Sequence, residues 1–341
     1  MRVRDIGEFG LIARIARALP APGAGVVVGI GDDVAVLHTD GTHYLLATCD
    51  IQVEGVHFLR DKITPRQLGR KVVAINVSDI AAMGGLPRYL LVSLVLPKDT
   101  EVAFVDGLYE GMQEECTRWG AEIVGGNMAH SPDGIIVDVF LLGDVEPEHL
   151  LRRSGARVGD QVLVTGTLGD SAAGLALLLH PDARCTDEHR QWVLGRHLTP
   201  TPRLYEGRVI ARSRMATAMI DVSDGLASDI GHICEMSAVG VRLRAGALPI
   251  SGAARAVAEA VGADVQDWAL FGGEDYELLF TAPPDRATEL ARQVSKETGT
   301  PVTVIGEITP PDEGMTLVRR DGSAVLLKKG GWDHFSGGHS D

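Results

Sequence analysis

Two residue spacings alternate along this chain, and that alternation restricts its fold more than any other feature. Apolar side chains recur at helical spacing over residues 7–19, where Phe9, Ile12, Ile15, Ala16 and Leu19 share one face. The same period returns at 65–83, behind Thr64 as N-cap and Pro65 at the first helical position, and again at 101–119. Between them, β-rich runs occupy 26–30, 44–48, 89–96, 122–124 and 135–142. After a polar, glycine-bearing stretch at 153–160 a second cycle begins, with strands expected at 161–165, 217–220, 241–244 and 276–281. Helices are expected there at 171–179, near 189–197 and 202–212, at 226–237, near 253–271 and at 285–298, with β structure at 302–308 and 315–327. The pattern predicts an α+β (mixed α/β) protein of two domains, 1–150 and 151–341, a division that a length of 341 residues also favours.

Composition narrows the partners. Hydrophobic residues make up 45%, enough for packed cores and against extended disorder or collagen-like architecture. Forty-six acidic against 32 basic side chains give a net charge of −14, which repels nucleic acid and anionic lipid. The longest apolar runs, such as 90–96, fall far short of the ~20 residues that span a bilayer. The N-terminus reads as an amphipathic helix and not as a signal peptide. Cys49, Cys116, Cys185 and Cys234 have no paired spacing, so neither a disulfide framework nor a zinc site is expected, and the expected compartment is the cytoplasm. An anionic substrate would need cations that this chain is short of.

The placement of the acids says where such cations would sit. Val26-Val-Val-Gly-Ile-Gly-Asp32-Asp33 ends an apolar run in two carboxylates, and Leu45-Leu-Ala-Thr48-Cys49-Asp50 ends another in a third. Asn76-Val-Ser-Asp79 puts an amide and a carboxylate one helical turn apart. Ala218-Met-Ile-Asp221-Val-Ser223-Asp224-Gly225 repeats the strand-end pattern in the second half. One such acid is usually a helix N-cap. Four of them with hydroxyl and amide companions describe oxygen ligands for hard cations, and magnesium is commonly held by a few carboxylates together with substrate phosphates. Two glycine-bearing segments fit phosphate handling: Glu122-Ile-Val-Gly125-Gly126-Asn127, read as a strand running into a turn, and Thr165-Gly-Thr-Leu-Gly169-Asp170-Ser171, leading into a helix. No P-loop, no complete G-x-G-x-x-G, no protein-kinase H-R-D or D-F-G and no G-x-S-x-G is present.

In combination the motifs resemble the thiamine-monophosphate kinase family of the aminoimidazole ribonucleotide synthetase-like superfamily. The markers are G-I-G-D-D (29–33), D-x-x-V-E-G-V-H-F (50–58), N-V-S-D-I-A-A-M-G (76–84), V-T-G-T-L-G-D-S-A-A-G (164–174), D-V-S-D-G-L (221–226) and F-G-G-E-D-Y-E-L (271–278), with a G-W-D-H-F tail at 331–335. The resemblance implies magnesium-dependent transfer of the ATP γ-phosphoryl group to thiamine monophosphate. It also implies two α+β domains, with the N-terminal sheets forming a barrel across a homodimer and ATP bound near that interface.

Residue by residue, the resemblance makes Asp33, Thr48, Cys49, Asp50, Asp79, Asn127, Asp221 and Asp224 the holders of several magnesium ions. Cys49 stands where threonine is usual, and Asn127 where aspartate is frequent. Tyr109, Gly126, Asn127, Arg153 and Ser223 are implied nucleotide contacts, and His57, Glu274 and Trp332 thiamine phosphate contacts. The acceptor is itself a phosphate, so no general base is assigned. The carboxylates Asp50, Asp79 and Asp221 and their metal ions are expected to carry the chemistry. Other members of the superfamily fit less well: selenophosphate synthetase wants a reactive cysteine near the N-terminus, where the first here is Cys49, and the hydrogenase-maturation protein wants a C-terminal one, where this chain reads Gly-Gly-His-Ser-Asp341. A different class, a non-catalytic binder of nucleotide or divalent ions, would bind ATP without turning it over.

Overall fold

In the computed structural model of the chain, every residue is described except Met1, Asp40, Lys328, Lys329, Asp333 and 336–341. Asp333 of the tail motif therefore lies outside the described residues.

The chain opens with α1 (Gly7–Ala18) and a six-stranded sheet: β1 (Val26–Val28), β2 (Ala35–Leu37), β3 (Tyr44–Val53), β4 (Leu86–Leu96), β5 (Glu122–His130) and β6 (Ile136–Val145). Their order is β1-β2-β3-β6-β4-β5, and only β4 and β5 run parallel. The helices α2 (Pro65–Ala82) and α3 (Val102–Trp119) connect these strands. A seven-stranded sheet follows, formed by β7 (Gln161–Thr165), β8 (Ala218–Asp221), β9 (Gly240–Arg244), β10 (Leu278–Ala282), β11 (Val302–Thr309), β12 (Met315–Val318) and β13 (Ala324–Leu326), in the order β13-β12-β9-β11-β7-β10-β8. Its helices are α4 (Asp170–Leu179), α5 (Asp187–Leu198), α6 (Leu204–Ser213), α7 (Leu226–Ser237), α8 (Gly252–Val261), α9 (Val265–Phe271) and α10 (Pro284–Thr298). Among the described residues neither sheet closes on itself.

The helix α2 is the central post. Thr64 and Gln67 form a capping box, with the Gln67 N–H donating to Thr64 Oγ1 (3.3 Å) and the Thr64 N–H to Gln67 Oε1 (3.0 Å). Beyond its first turn α2 is buried almost all round. One continuous core joins Leu68 and Val72 of α2 to Leu90, Val92 and Val139 of the first sheet and to Met219, Leu278 and Phe280 of the second. The two halves are locked at their seam. The helix α6 approaches so closely that a Cβ at Gly207 would lie 2.4 Å from the Ala81 carbonyl oxygen. Beside it, buried Arg208 donates to both carboxylate oxygens of Glu146 (2.8 Å each) and to the Gly84 carbonyl (2.6 Å).

Three local expectations change. The strand β3 runs five residues past Thr48, because β6 pairs with it as far as Val53 opposite Ile136; Asp50 therefore sits inside a strand and not at its end. Gly125-Gly126 is not a turn. The register steps from Leu90–Ile123 to Leu91–Gly125, leaving Val124 as a bulge, and β5 continues to His130. Gly126 permits this, since a Cβ there would meet the Val92 carbonyl oxygen at 2.0 Å. The short β2 (Ala35–Leu37) was not expected from the sequence.

Alternation in the first sheet separates two faces. Leu46, Val92, Val139 and Leu141 point into the core, while Ile51, Tyr89 and Leu91 lie on an open, solvent-facing side.

Candidate active site

Along β3, Thr48, Asp50 and Gln52 share the inward face, and Cys49 and Ile51 the open one. Thr48 Oγ1 donates to Asp79 of α2 at 2.6 Å. One residue earlier on α2, Ser78 Oγ donates to Asp221, the last residue of β8, at 2.6 Å. A hydroxyl thus aims each carboxylate, one from either half. Asp33, on the loop after β1, completes the group: one carboxylate oxygen each from Asp33, Asp79 and Asp221 lie within 4.8 Å of one another.

At that separation two ionised carboxylates repel by roughly 3 kcal/mol at an effective dielectric of about 20. Among the described residues only Arg153 answers them directly. Arg153 Nε donates to Asp33 Oδ1 at 3.0 Å, while Asp33 Oδ2 is buried with no hydrogen-bond partner. The titration of the cluster follows from this. Burial first, then Asp33, pushes Asp32 and Asp221 up to about 6 and about 8. Burial, then Asp138 and Asp33, lifts Asp50 to about 6. Burial, then Asp50 and Asp221, holds Asp79 well above the usual range. Buried oxygens with an orphaned lone pair and mutual repulsion are the donor set that suits a hard divalent cation.

The cluster opens into a cavity of about 1570 Å³ that Arg153, Ser223, Asp224, His57, Glu274 and Trp332 also line. Loop 221–225 and turn 272–276 are tied together, the Glu274 N–H donating to the Ser223 carbonyl at 2.6 Å and the Tyr276 N–H to that of Val222 at 2.8 Å. Both Glu274 (φ +55°) and Tyr276 (φ +51°) adopt left-handed backbone, strain of the kind that concentrates at working sites. Asp229 accepts from the Ser223 and Gly225 N–H groups (3.1 Å each) and so shapes the loop from beneath. The Trp332 N–H donates to the Asp224 carbonyl at 3.1 Å, which docks the tail at the cavity mouth. There the indole is half-exposed and edge-on to His334, whose ring lies 4.8 Å from that of His57.

Cys49 also lines the cavity, although its side chain points to the face of β3 opposite that of Thr48 and Asp50. Three expected residues lie elsewhere. Asn127 is exposed on β5, opposite Ser93 and in line with Asp138 and Ile51 across the open face. Gly126 is its neighbour, and Tyr109 on α3 packs half-buried against the main core. Tyr109, Gly126 and Asn127 do not line the cavity.

Three polar groups escaped the sequence reading. Lys71 is fully buried, ion-paired to Glu274 at 2.7 Å, and lines the cavity. Its signal was present, because Leu68, Lys71, Val72 and Ile75 form one helical stripe in which a lysine is out of place. Asp138, the neighbour that most raises Asp50 after burial, and Asp229 had no such signal.

Residues 31–145 match the family described as AIR synthase related protein, N-terminal domain, and 157–318 its C-terminal domain. The thiamine-monophosphate kinase of Aquifex aeolicus (strain VF5) is 41% identical over 98% of this chain and all of that protein. The Escherichia coli (strain K12) thiamine-monophosphate kinase is 38% identical over 97% of this chain and 98% of its own. The structure of AaThiL complexed with AMPPCP and TMP is 39% identical and superposes with a TM-score of 0.85, covering 98% of this chain and 99% of that one.

Proposed function

The chain belongs to the AIR synthase related family, among its thiamine-monophosphate kinases, and from that premise we propose how its residues perform the reaction. It phosphorylates thiamine monophosphate at the expense of ATP, giving thiamine diphosphate and ADP. A terminal phosphate oxygen of thiamine monophosphate attacks the γ-phosphorus of ATP, and the bond from that phosphorus to the β,γ-bridging oxygen breaks. ADP leaves with the electron pair. The observation that carries the assignment of the reacting centre is the convergence of Asp33, Asp79 and Asp221 on one point of the cavity.

Asp33, Asp79 and Asp221, with Asp50 and Thr48 beside them, would hold magnesium; when bound, it neutralises the phosphates and the charge that builds on the bridging oxygen. Several ions are expected, with Asp224 and the Cys49 carbonyl as outer ligands and Asn127 contributing from β5. Arg153 anchors Asp33 and presents its guanidinium to the nucleotide phosphates, near the Ser223 loop. His57, Glu274 and Trp332 bind the thiamine phosphate, Trp332 by stacking on the cationic ring.

A second copy is part of the reading. The open face of the first sheet, with Ile51, Tyr89 and Leu91 exposed, suits burial against its own copy in a shared barrel. Pairing there would place Tyr109, Gly126 and Asn127 near the subunit boundary and the nucleotide. The four cysteines are free, in keeping with a cytoplasmic enzyme.

Incubation with ATP, magnesium and thiamine monophosphate tests the function. Equimolar ADP and thiamine diphosphate are expected, each dependent on both substrates; nucleotide binding without turnover would contradict it.

A further inference from the structure

Lys71 has a position that the metal chemistry does not account for. Its side chain is 1% exposed, and its ammonium lies 2.7 Å from Glu274 Oε1. Among the described residues no other carboxylate forms an ion pair with it. Burying a lone ammonium is costly, and the Glu274 carboxylate is the partner that offsets that cost. Many buried pairs can be replaced by packed apolar residues without loss. This one differs, because both partners line the substrate cavity and the acid is held in left-handed backbone.

The second oxygen of Glu274 faces His197, whose Nδ1 is 3.4 Å from Oε2 and 3.0 Å from Ser171 Oγ. His57 lines the same wall, its Nδ1 accepting the Val53 N–H at 3.0 Å. Burial, then Lys71, holds His197 down at about 4; burial, then His334, holds His57 at about 4. Both rings are therefore neutral at pH 7, and Lys71 is the cation that pairs with Glu274. Burial alone would lift Glu274, yet Lys71 and then His197 keep it below the ordinary carboxylate range.

We propose that Lys71 is a positioning residue of the thiamine phosphate subsite, fixing Glu274 as an ionised acceptor, aimed into the cavity, for the donor-bearing cationic part of the substrate. This rests on the function given above. Lys71 does not touch the substrate itself. It sets the charge and direction of the group that does.

The charged and titratable groups facing Glu274 are Lys71 from α2, His197 from α5, His57 from the segment after β3 and Tyr276 on its own turn. Only Lys71 is removed by Lys71→Met, which leaves burial to raise Glu274. The KM for thiamine monophosphate should then rise at least tenfold at pH 7, with the KM for ATP within twofold of wild type. The ratio of variant to wild-type KM should fall as pH is raised from 6.5 to 9, because Glu274 recovers its charge. Misfolding is controlled by the double variant Lys71→Met/Glu274→Gln, which should regain thermal stability without regaining thiamine phosphate affinity. An unchanged KM in Lys71→Met overturns the proposal, as does an equal rise for both substrates with no recovery at high pH. If the wild-type chain itself forms no thiamine diphosphate, the functional reading fails instead, which is a separate outcome.

Discussion

The two walls of the cavity treat buried charge in opposite ways. On one, Asp33, Asp79 and Asp221 converge with the Arg153 guanidinium on Asp33, and the other oxygen of Asp33 has no hydrogen-bond partner among the described residues. On the other, Glu274 is matched by Lys71 and flanked by neutral histidines. The first wall is incomplete until something brings positive charge. The second is complete in advance, so it can select a ligand by shape and direction. The contrast teaches that unpaired buried charge marks where the reacting ions go, and paired buried charge marks where a substrate is oriented.

The largest expected effect breaks the incomplete wall. Asp79→Asn should lower kcat by about 100-fold or more, because charge stabilisation at the reacting centre commonly amounts to that. In EDTA the same variant should melt at or above the wild-type temperature, since one repelling charge is gone, whereas Lys71→Met should melt lower. Calorimetry of both proteins checks the opposite signs.

Next comes pH. Asp32 and Asp50 are pushed up to about 6 and Asp221 to about 8, from the ordinary value of 3.8. A folded-state pKa above the unfolded one gives stability that is full below pH 3.8 and is lost as pH rises through the folded value. The chain in EDTA should therefore lose thermal stability between about pH 4 and 8, and saturating magnesium should flatten that slope. A melting temperature in EDTA that rises over the same range would count against uncompensated carboxylates.

A smaller change sharpens the complete wall. Trp332→Ala should raise the KM for thiamine monophosphate about tenfold, roughly 1.4 kcal/mol, a reasonable size for stacking on a cation. The KM for ATP should stay nearly constant; the reverse pattern in steady-state kinetics would move the ring to the nucleotide. Smallest for the cavity itself, Leu91→Glu on the open sheet face should shift the chain toward monomer in light scattering while leaving its melting profile close to that of wild type.

Local chemistry was legible in the sequence and distant pairing was not. The helix α2 announced itself through Thr64, Pro65 and its apolar stripe, and the strand that ends at Asp221 was placed within a residue. The length of β3 depends on pairing with β6, more than 80 residues on, and no local rule extends a strand through Cys49 and Asp50. Gly125-Gly126 read as a turn because glycine does favour turns; the bulge at Val124 and the tight approach of Gly126 to Val92 are tertiary facts. In the site, the acids stood out by their placement beside glycines and hydroxyls. Lys71 was visible as a misfit on a buried face, but its partner Glu274 comes from a turn in the other half of the chain. Asp138 joins Asp50 only because β6 lies beside β3.

Manganese is a spectroscopic stand-in for magnesium with the same taste for carboxylate oxygen. Titrating it into nucleotide-free protein and counting bound ions by electron paramagnetic resonance tests the incomplete wall most directly. Wild-type protein should take up manganese with release of protons near pH 7, and Asp79→Asn should lose that uptake while remaining folded. Equal binding by both proteins would mean that the three aspartates do not gather a metal ion.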